Sequence, residues 1–110
     1  MVSFCKRMPH ATQDIKWGAD LVYSVGGKMF AVFDPNDPVK VSFKATPEMF
    51  AILTGKDGII PAPYAARFHW VAVTKRGALP APALRELLTT SYTLVAGKLP
   101  LKLRRKIGIE

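Results

Sequence analysis

The sequence has little of the residue types on which most catalytic and metal sites depend. Among its 110 residues are one cysteine and two histidines. Cys5 cannot form an internal disulfide, and one thiol with two imidazoles cannot supply the four protein ligands of a structural zinc site. A nucleophile also needs a base within hydrogen-bond reach and a third group that orients the base. Neither His10 nor His69 lies in such a motif, and Cys5 is typical of a small buried side chain. We therefore expect no enzymatic activity, no cofactor and no metal.

Long apolar runs and a phosphate-binding loop are missing as well. The longest uncharged stretch, residues 87–97, has eleven residues, whereas a helix that spans a bilayer needs about 20 apolar residues. Charges in residues 1–7 fall where a signal peptide has its apolar region. Gly26-Gly27-Lys28 lacks the strand–loop–helix context of a phosphate loop. We expect a cytoplasmic, monomeric protein that contacts no membrane and forms one domain over residues 1–110.

Positive charge, in contrast, is abundant and unevenly placed. Sixteen lysines and arginines against eight acidic residues give a net charge of +8. Residues 98–110 hold five of the basic residues and one acidic residue, so this basic C-terminal tail carries half of the net charge. A field of this sign attracts polyanions, nucleic acid first among them, although it serves solubility equally well.

A tight hairpin is predicted at residues 23–30, because Gly26-Gly27 supplies the positive φ angles of a two-residue turn. Three cross-strand pairs follow from this register: Val25 with Lys28, Tyr23 with Phe30, and Leu21 with Val32. The opposite face then carries four apolar residues: Val22, Met29, Ala31 and Phe33. Since both faces are largely apolar, we expect the hairpin to be central in its sheet and covered on both sides.

The segments that follow alternate between strands and helices. Residues 39–44 alternate cleanly, with Val39, Val41 and Phe43 on one face and Lys40, Ser42 and Lys44 on the other, which indicates a half-buried antiparallel strand. A helix follows, capped by Thr46 and closed by Gly55. Residues 58–66 are expected to form an irregular connection, residues 67–74 a strand, and residues from about 80–82 to 97 a long helix. This order favours a two-layer α+β fold with helices on one face of an antiparallel sheet.

The most informative local cluster is Arg67-Phe68-His69-Trp70. On a strand, Arg67 and His69 share one face, and Phe68 and Trp70 share the other. In one interpretation Phe68 and Trp70 fill the core and the polar pair faces water. In the other, Arg67 and His69 lie beside the face of Lys40 and Lys44 and form a site for phosphates. Trp70 would instead stack a base if its side of the sheet is the open one.

Seven short motifs occur in a distinctive order: Met8-Pro9-His10-Ala11-Thr12, Val25-Gly26-Gly27-Lys28-Met29-Phe30-Ala31, Ser42-Phe43-Lys44, Thr46-Pro47-Glu48, Arg67-Phe68-His69-Trp70, Ser91-Tyr92 and Leu99-Pro100. In this order and spacing, over roughly residues 4–105, the chain resembles the MmcQ/YjbR family of small bacterial proteins. Any one motif is weak, but the series is specific.

The resemblance implies a two-layer α+β fold of the secretion-chaperone-like kind, with a curved antiparallel sheet backed by helices. Members are commonly described as predicted DNA-binding proteins with a double-wing motif, a label that rests largely on structural analogy. The family's polar signature falls on six residues: Lys28, Lys44, His69, Trp70, Ser91 and Tyr92. The chain departs from the family pattern in having Arg67 where lysine is usual, and its first helix is short. For Ser91 and Tyr92, hydrogen bonds within the fold are the alternative role.

The sequence thus favours non-enzymatic binding of DNA, rather than RNA, through a basic sheet face and the basic tail, mostly by contacts to phosphates. The residues assigned to this interface are Lys28, Lys40, Lys44, Arg67, His69, Trp70, Ser91, Tyr92, Lys102, Arg104 and Arg105. The alternative is a chaperone-like module that binds a protein or peptide through the sheet face or an edge strand. An apolar exposed face would favour the alternative, and a contiguous positive face would favour DNA.

Overall fold

The computed structural model describes residues 1–63 and 65–108, and in these residues a sheet is combined with four helices. The elements in chain order are α1 (Val2–Lys6), β1 (Ala11–Lys16), β2 (Asp20–Val25), β3 (Lys28–Asp34), β4 (Asp37–Lys44), α2 (Pro47–Thr54), β5 (Ile59–Pro61), a 3₁₀ turn (Ala66–Phe68), β6 (Trp70–Val73), α3 (Ala81–Gly97) and α4 (Leu101–Ile107). The strands form one antiparallel sheet in the order β1-β2-β3-β4-β6-β5. The α+β architecture predicted from the sequence is confirmed.

One face of the sheet is buried beneath the helices. α3 packs across β2, β3 and β4, while α2 packs against β5 and β6. The fully buried side chains of this core include Tyr23, Phe30, Phe43, Leu53, Leu88, Val71 and Cys5. Burial raises the pKa of the Cys5 thiol to about 12, so at neutral pH it is a protonated core side chain. Among the described helices, none combines the length and the apolar character needed to cross a bilayer.

The hairpin forms where the glycine pair predicts it, but its register shifts by one residue. Gly26 and Gly27 both have positive φ, and Val25 pairs with Lys28 as expected. Beyond that pair a bulge at Phe30 intervenes, so that Tyr23 pairs with Ala31 and Leu21 with Phe33. The predicted Tyr23–Phe30 and Leu21–Val32 pairs are therefore wrong. The bulge lets Phe30 and Ala31 both enter the core, whereas strict alternation would have sent one of them to the other face.

Strands β1 and β5 and helix α4 were not predicted from the sequence, because each lacks the usual hydrophobic pattern. β1 lies at one edge of the sheet, and its residues are mostly exposed. β5, at the other edge, has only three residues and ends in Pro61, which edge strands tolerate. The strand expected at residues 67–74 is shorter, since β6 begins only at Trp70. α2 and α3 agree with prediction: Thr46 Oγ1 accepts a hydrogen bond from Met49 N at 3.1 Å.

Residues 101–107 of the basic tail form α4. Leu103 and Ile107 pack against the core, which holds the helix against the body of the protein. At the hairpin turn, a Cβ atom on Gly26 would lie 2.6 Å from Leu99 Cδ1 and 3.3 Å from Leu103 Cδ2. A side chain at this position would be strained by the positive φ and would displace the Leu99 side chain.

A buried hydroxyl ties α3 to the centre of the sheet. Ser91 is fully buried. Its Oγ donates to the carbonyl oxygen of Phe30 at 2.7 Å and accepts from the backbone N–H of Lys44 at 3.0 Å. Both groups lie just beyond the last pair of the β3–β4 ladder, Ala31 with Phe43. Ser91 therefore satisfies two backbone groups of two strands with one side chain.

We expect Ser91→Ala to lower the free energy of unfolding by about 1–3 kcal/mol, because it leaves a buried carbonyl and an amide without their partner. Thr93→Ala is the matched control, since the exposed Thr93 hydroxyl donates only to the Thr89 carbonyl one turn earlier, and its effect should stay within about 0.5 kcal/mol. Urea denaturation measures both. Equal small losses in the two variants would contradict the structural role of Ser91.

Candidate functional site

The sheet face opposite the core opens into a cavity of about 710 Å³. Its lining is largely apolar: Trp17, Asp20, Met29, Val32, Ser42, Ala62, Pro63, Ala65, Phe68 and Trp70. A second cavity of about 370 Å³ adjoins it at the end of the sheet where α3 ends, and the two share Met29, Phe68 and Trp70. We call the two cavities together the aromatic groove. Its volume is in the range of sites that bind small molecules or parts of larger ligands.

Strand alternation explains which side chains line the groove. Ser42 pairs with Val32 on one side and lies two residues from Lys44, which pairs with Trp70. Since paired residues share a face of the sheet, these side chains point away from the core while Val41 and Phe43 point into it. The predicted two-faced pattern of residues 39–44 is thus confirmed. Trp70 lies on the open side, although it is only 9% exposed.

The segment before Trp70 departs from the prediction. Residues 66–68 form a 3₁₀ turn, and His69 has a left-handed φ of 64°, so Arg67 and His69 do not share a strand face. Phe68, which the sequence placed with Trp70 on a strand, is half-exposed and projects into the groove. A left-handed residue lets the chain turn abruptly from the 3₁₀ turn into β6, and alternation cannot anticipate such a turn.

Arg67 and Lys44 both contact Phe68. The Arg67 guanidinium carbon lies 4.8 Å from the centroid of the Phe68 ring, within the range of a cation–π contact. Lys44 Nζ donates to the Phe68 carbonyl oxygen at 3.0 Å and lies 5.9 Å from the ring centroid. His69 instead meets the ring of Phe50 in α2 edge to face, at 5.6 Å, and is not among the groove residues. The structure therefore brings together Lys44 and Arg67, but not His69.

The second cavity is bordered by positive charge. Lys28, Lys44 and Lys98 line it, and we call these three lysines with Arg67 the basic rim. Within residues 1–63 and 65–108, none of the four lies within 4 Å of a carboxylate oxygen. Burial, and then the charge of Lys98, lower the pKa of the Lys44 ammonium. Like charges are thus held together at the mouth of an apolar groove, an arrangement that a bound anion would relieve.

Trp17 and Met29 line the groove but were not among the residues assigned from the sequence. Trp17 occupies the turn between β1 and β2, is 66% exposed and has a φ of 52°. A left-handed conformation costs a residue other than glycine about 1–2 kcal/mol. The signal available in the sequence was a large aromatic residue immediately before Gly18, at a turn where small polar residues are usual.

Ser91 and Tyr92, assigned to the interface from the sequence, serve the fold instead. Ser91 is fully buried and cannot reach a ligand at the surface. The Tyr92 hydroxyl donates to the Pro9 carbonyl oxygen at 2.6 Å, and its ring meets Phe30 edge to face at 5.3 Å. Burial raises the pKa of Tyr92. These two residues hold α3 against the sheet and against the chain before β1.

The remaining assigned cations lie outside the groove. Lys40 is exposed on the same side of β4 as Ser42, but it does not line either cavity. Lys102 and Arg105 are exposed on α4. Arg104 is half-buried, and in the described part of the chain its buried Nε has no hydrogen-bond partner. The tail cations within residues 101–107 are thus carried on a packed helix.

Comparison with known proteins identifies relatives by sequence and by fold. The YjbR family model matches residues 6–94. The crystal structure of a Deinococcus radiodurans protein with a DUF419 domain is 32% identical in sequence, with a TM-score of 0.85 over 98% of this chain and 85% of that one. A Pseudomonas syringae protein of known structure is 22% identical, with a TM-score of 0.68 over 86% of this chain and 94% of that one, a likeness that shows the fold alone. No curated protein matches the chain.

Trp17→Gly should change the free energy of unfolding by no more than about 1 kcal/mol. The exposed indole loses little burial, and glycine adopts the left-handed conformation at a lower cost than tryptophan. Trp70→Ala, in contrast, empties a buried position and should cost about 3 kcal/mol or more. Urea denaturation compares the two variants. A loss for Trp17→Gly as large as that for Trp70→Ala would show that Trp17 is part of the structural core.

The pKa of Lys44 should rise in Lys98→Gln, because one of the two causes that lower it is removed. The recovery should be partial, since burial is the larger cause. Lys102→Gln, on α4, is the control and should leave the Lys44 pKa unchanged. Titration of the lysine Cε signals by NMR measures the three proteins. An identical Lys44 pKa in all of them would mean that Lys98 does not act on this site.

Proposed function

The chain belongs to the YjbR family, and from that premise we propose that it binds DNA without catalysing a reaction on it. The observation that carries the proposal is the basic rim, whose lysines line one end of a groove on the sheet face. Lysine ammonium and arginine guanidinium groups are the side chains that neutralise phosphates. Because the rim cations have no carboxylate within 4 Å among the described residues, their charge is available to an anionic partner.

Lys44, the central member of this rim, is held in place by several contacts. Its backbone is held by Ser91 and its side chain by the Phe68 carbonyl, so its ammonium has a defined place before a ligand arrives. Arg67 is held against the Phe68 ring. Ordered cations lose less side-chain entropy on binding than free ones. Lys102 and Arg105, exposed on α4, extend the positive surface and would add contacts to the phosphate backbone.

The environments of the titratable groups support a binding role rather than a catalytic one. Cys5 is fully buried, and its thiol has a pKa of about 12, so it supplies almost no thiolate at neutral pH. His69 contacts the Phe50 ring. A catalytic assignment would require a nucleophile with an adjacent base, and the groove residues themselves include no histidine or cysteine.

The alternative function, binding of a protein or peptide, is favoured by the apolar lining of the larger cavity. Two sheet edges also carry exposed apolar residues, Ile15 on β1 and Ile60 on β5, and edge strands can pair with an added strand. A peptide that occupied the groove would need acidic residues to meet the basic rim. We favour DNA because four cations without a carboxylate within 4 Å among the described residues lie at one end of the groove. Successive phosphates of one strand can contact several of these cations.

If the rim contacts about four phosphates of duplex DNA, the logarithm of the association constant should fall with the logarithm of salt concentration with a slope of roughly −3 to −4. Lys44→Gln should weaken binding and flatten the slope by about 0.9, because the variant loses one phosphate contact and the counterion release that accompanies it. Fluorescence anisotropy of a labelled DNA measures both quantities.

Lys75→Gln is the matched control for this titration. Lys75 follows the far end of β6 and forms an exposed ion pair with Asp57 at 2.9 Å, so its removal should leave affinity and slope as they are in the parent. Lack of binding at micromolar protein and low salt would remove the proposal. Equal effects of Lys44→Gln and Lys75→Gln would show that charge alone, and not the rim, governs binding.

A further inference from the structure

The shape of the aromatic groove bears on which form of nucleic acid the protein binds. The groove is concave, and its larger cavity has a volume of about 710 Å³. A duplex keeps its bases stacked and paired and presents mainly phosphates and the narrow edges of base pairs. The apolar groups that it exposes, such as the thymine methyl groups in the major groove, are small and cannot fill such a cavity. An unpaired base, in contrast, is a flat and partly apolar group that can leave the strand.

The side chains along the groove are of the kind that stack on bases. Phe68 is 50% exposed and Trp17 is 66% exposed, and both line the larger cavity. Trp70 lies between the two cavities and borders both. Aromatic side chains bind the faces of unpaired bases with little preference for sequence.

Charge is arranged to match a strand that lies along this groove. Lys28, Lys44 and Lys98 border the smaller cavity, while the larger cavity has an apolar lining apart from Asp20 and Ser42. Phe68 and Trp70 border both cavities, so that aromatic faces and cations lie side by side. A base with its attached phosphate has the same two parts, one apolar and one anionic.

The conformation of the turn that carries Trp17 also supports a role for the aromatic side chains in binding. Trp17 adopts a left-handed φ of 52° beside Gly18, and most of its indole is exposed to solvent. Neither packing nor backbone preference accounts for a tryptophan at this position, since glycine would satisfy the turn at a lower cost. Its indole does, however, contribute a wall of the groove.

We propose that the aromatic groove accommodates unpaired bases, so that the protein binds single-stranded DNA in preference to duplex. This inference rests on the proposed DNA binding and specifies which form of DNA fills the site. Bases stack against the exposed rings of Trp17 and Phe68, beside Trp70, which borders both cavities. The phosphates between the bases meet Lys44 and its neighbours in the rim.

The test measures the affinity of the whole chain for four ligands. The first is an oligothymidine of about ten nucleotides, which is within the usual span of such sites. The others are the same strand annealed to its complement, an abasic strand with the same number of phosphates, and thymidine monophosphate. We expect the oligothymidine to bind at least about fivefold more tightly than the duplex or the abasic strand, and to quench tryptophan fluorescence. The mononucleotide should bind much more weakly, since it meets the rim with one phosphate.

Variants assign the preference to the groove. Trp17→Gly should weaken binding of the oligothymidine several-fold and leave binding of the duplex and the abasic strand unaffected. Phe68→Leu also removes the ring that holds Arg67, so it should weaken binding of all three ligands, and of the oligothymidine most. Ile52→Ala is the control, because Ile52 is an equally exposed apolar residue on α2, away from the groove. Urea denaturation of Trp17→Gly shows that the fold is retained.

The outcomes separate this inference from the function on which it rests. Equal binding of duplex, abasic strand and oligothymidine would leave DNA binding intact and overturn the placement of bases in the groove. Binding of the mononucleotide as tightly as the oligothymidine would identify a nucleotide site and overturn binding of a strand. If none of the four ligands binds, while a peptide rich in apolar and acidic residues does, both proposals are wrong.

Discussion

The hydrogen bonds of the Ser91 hydroxyl are the constraint on which the arrangement of this protein depends. Just beyond the last pair of the β3–β4 ladder, Ser91 Oγ donates to the carbonyl of Phe30 and accepts from the amide of Lys44, so that one hydroxyl of α3 binds both strands. The Phe30 carbonyl lies at the bulge that turns two successive residues of β3 into the core. The Lys44 amide lies at the end of β4, where its side chain leaves the sheet toward the groove. One buried group thus fixes the helix, the bulge and the central lysine of the basic rim.

From Lys44 the chain of contacts continues across the open face. The ammonium of Lys44 holds the Phe68 carbonyl, which steadies the 3₁₀ turn between β5 and β6, and Arg67 covers the ring that this turn exposes. Burial, and then the charge of Lys98, lower the pKa of this ammonium. The fold therefore keeps positive charges close together beside an apolar surface. An anion that carries a flat apolar group satisfies both features at once, which links the structural role of Ser91 to the proposed recognition of unpaired DNA.

The sequence predicted the elements whose patterns are strong. The alternation of residues 39–44, the cap at Thr46 and the long helix that ends at Gly97 all agree with the structure, and the order of short motifs identified the family. The register of the hairpin could not be predicted, because a bulge adds one residue without any change in composition. The turn at residues 66–68 was also missed, since Arg67-Phe68-His69-Trp70 alternates in polarity as a strand would. In the structure a 3₁₀ turn and the left-handed φ of His69 replace the first part of that strand. Trp17 reaches the groove through the topology of the sheet, which local sequence does not reveal.

The most direct test of the account is to locate the ligand on the protein surface by NMR. Two tryptophans, Trp17 and Trp70, give two indole N–H signals, and both residues line the groove. On addition of an oligothymidine to ¹⁵N-labelled protein, we expect both indole signals and the amides of Met29 and Phe68 to shift, with smaller changes at Lys102 and Lys106 on α4. Unchanged indole signals together with large shifts confined to α4 would contradict the account, because they would place the nucleic acid on the basic helix and leave the aromatic groove unoccupied.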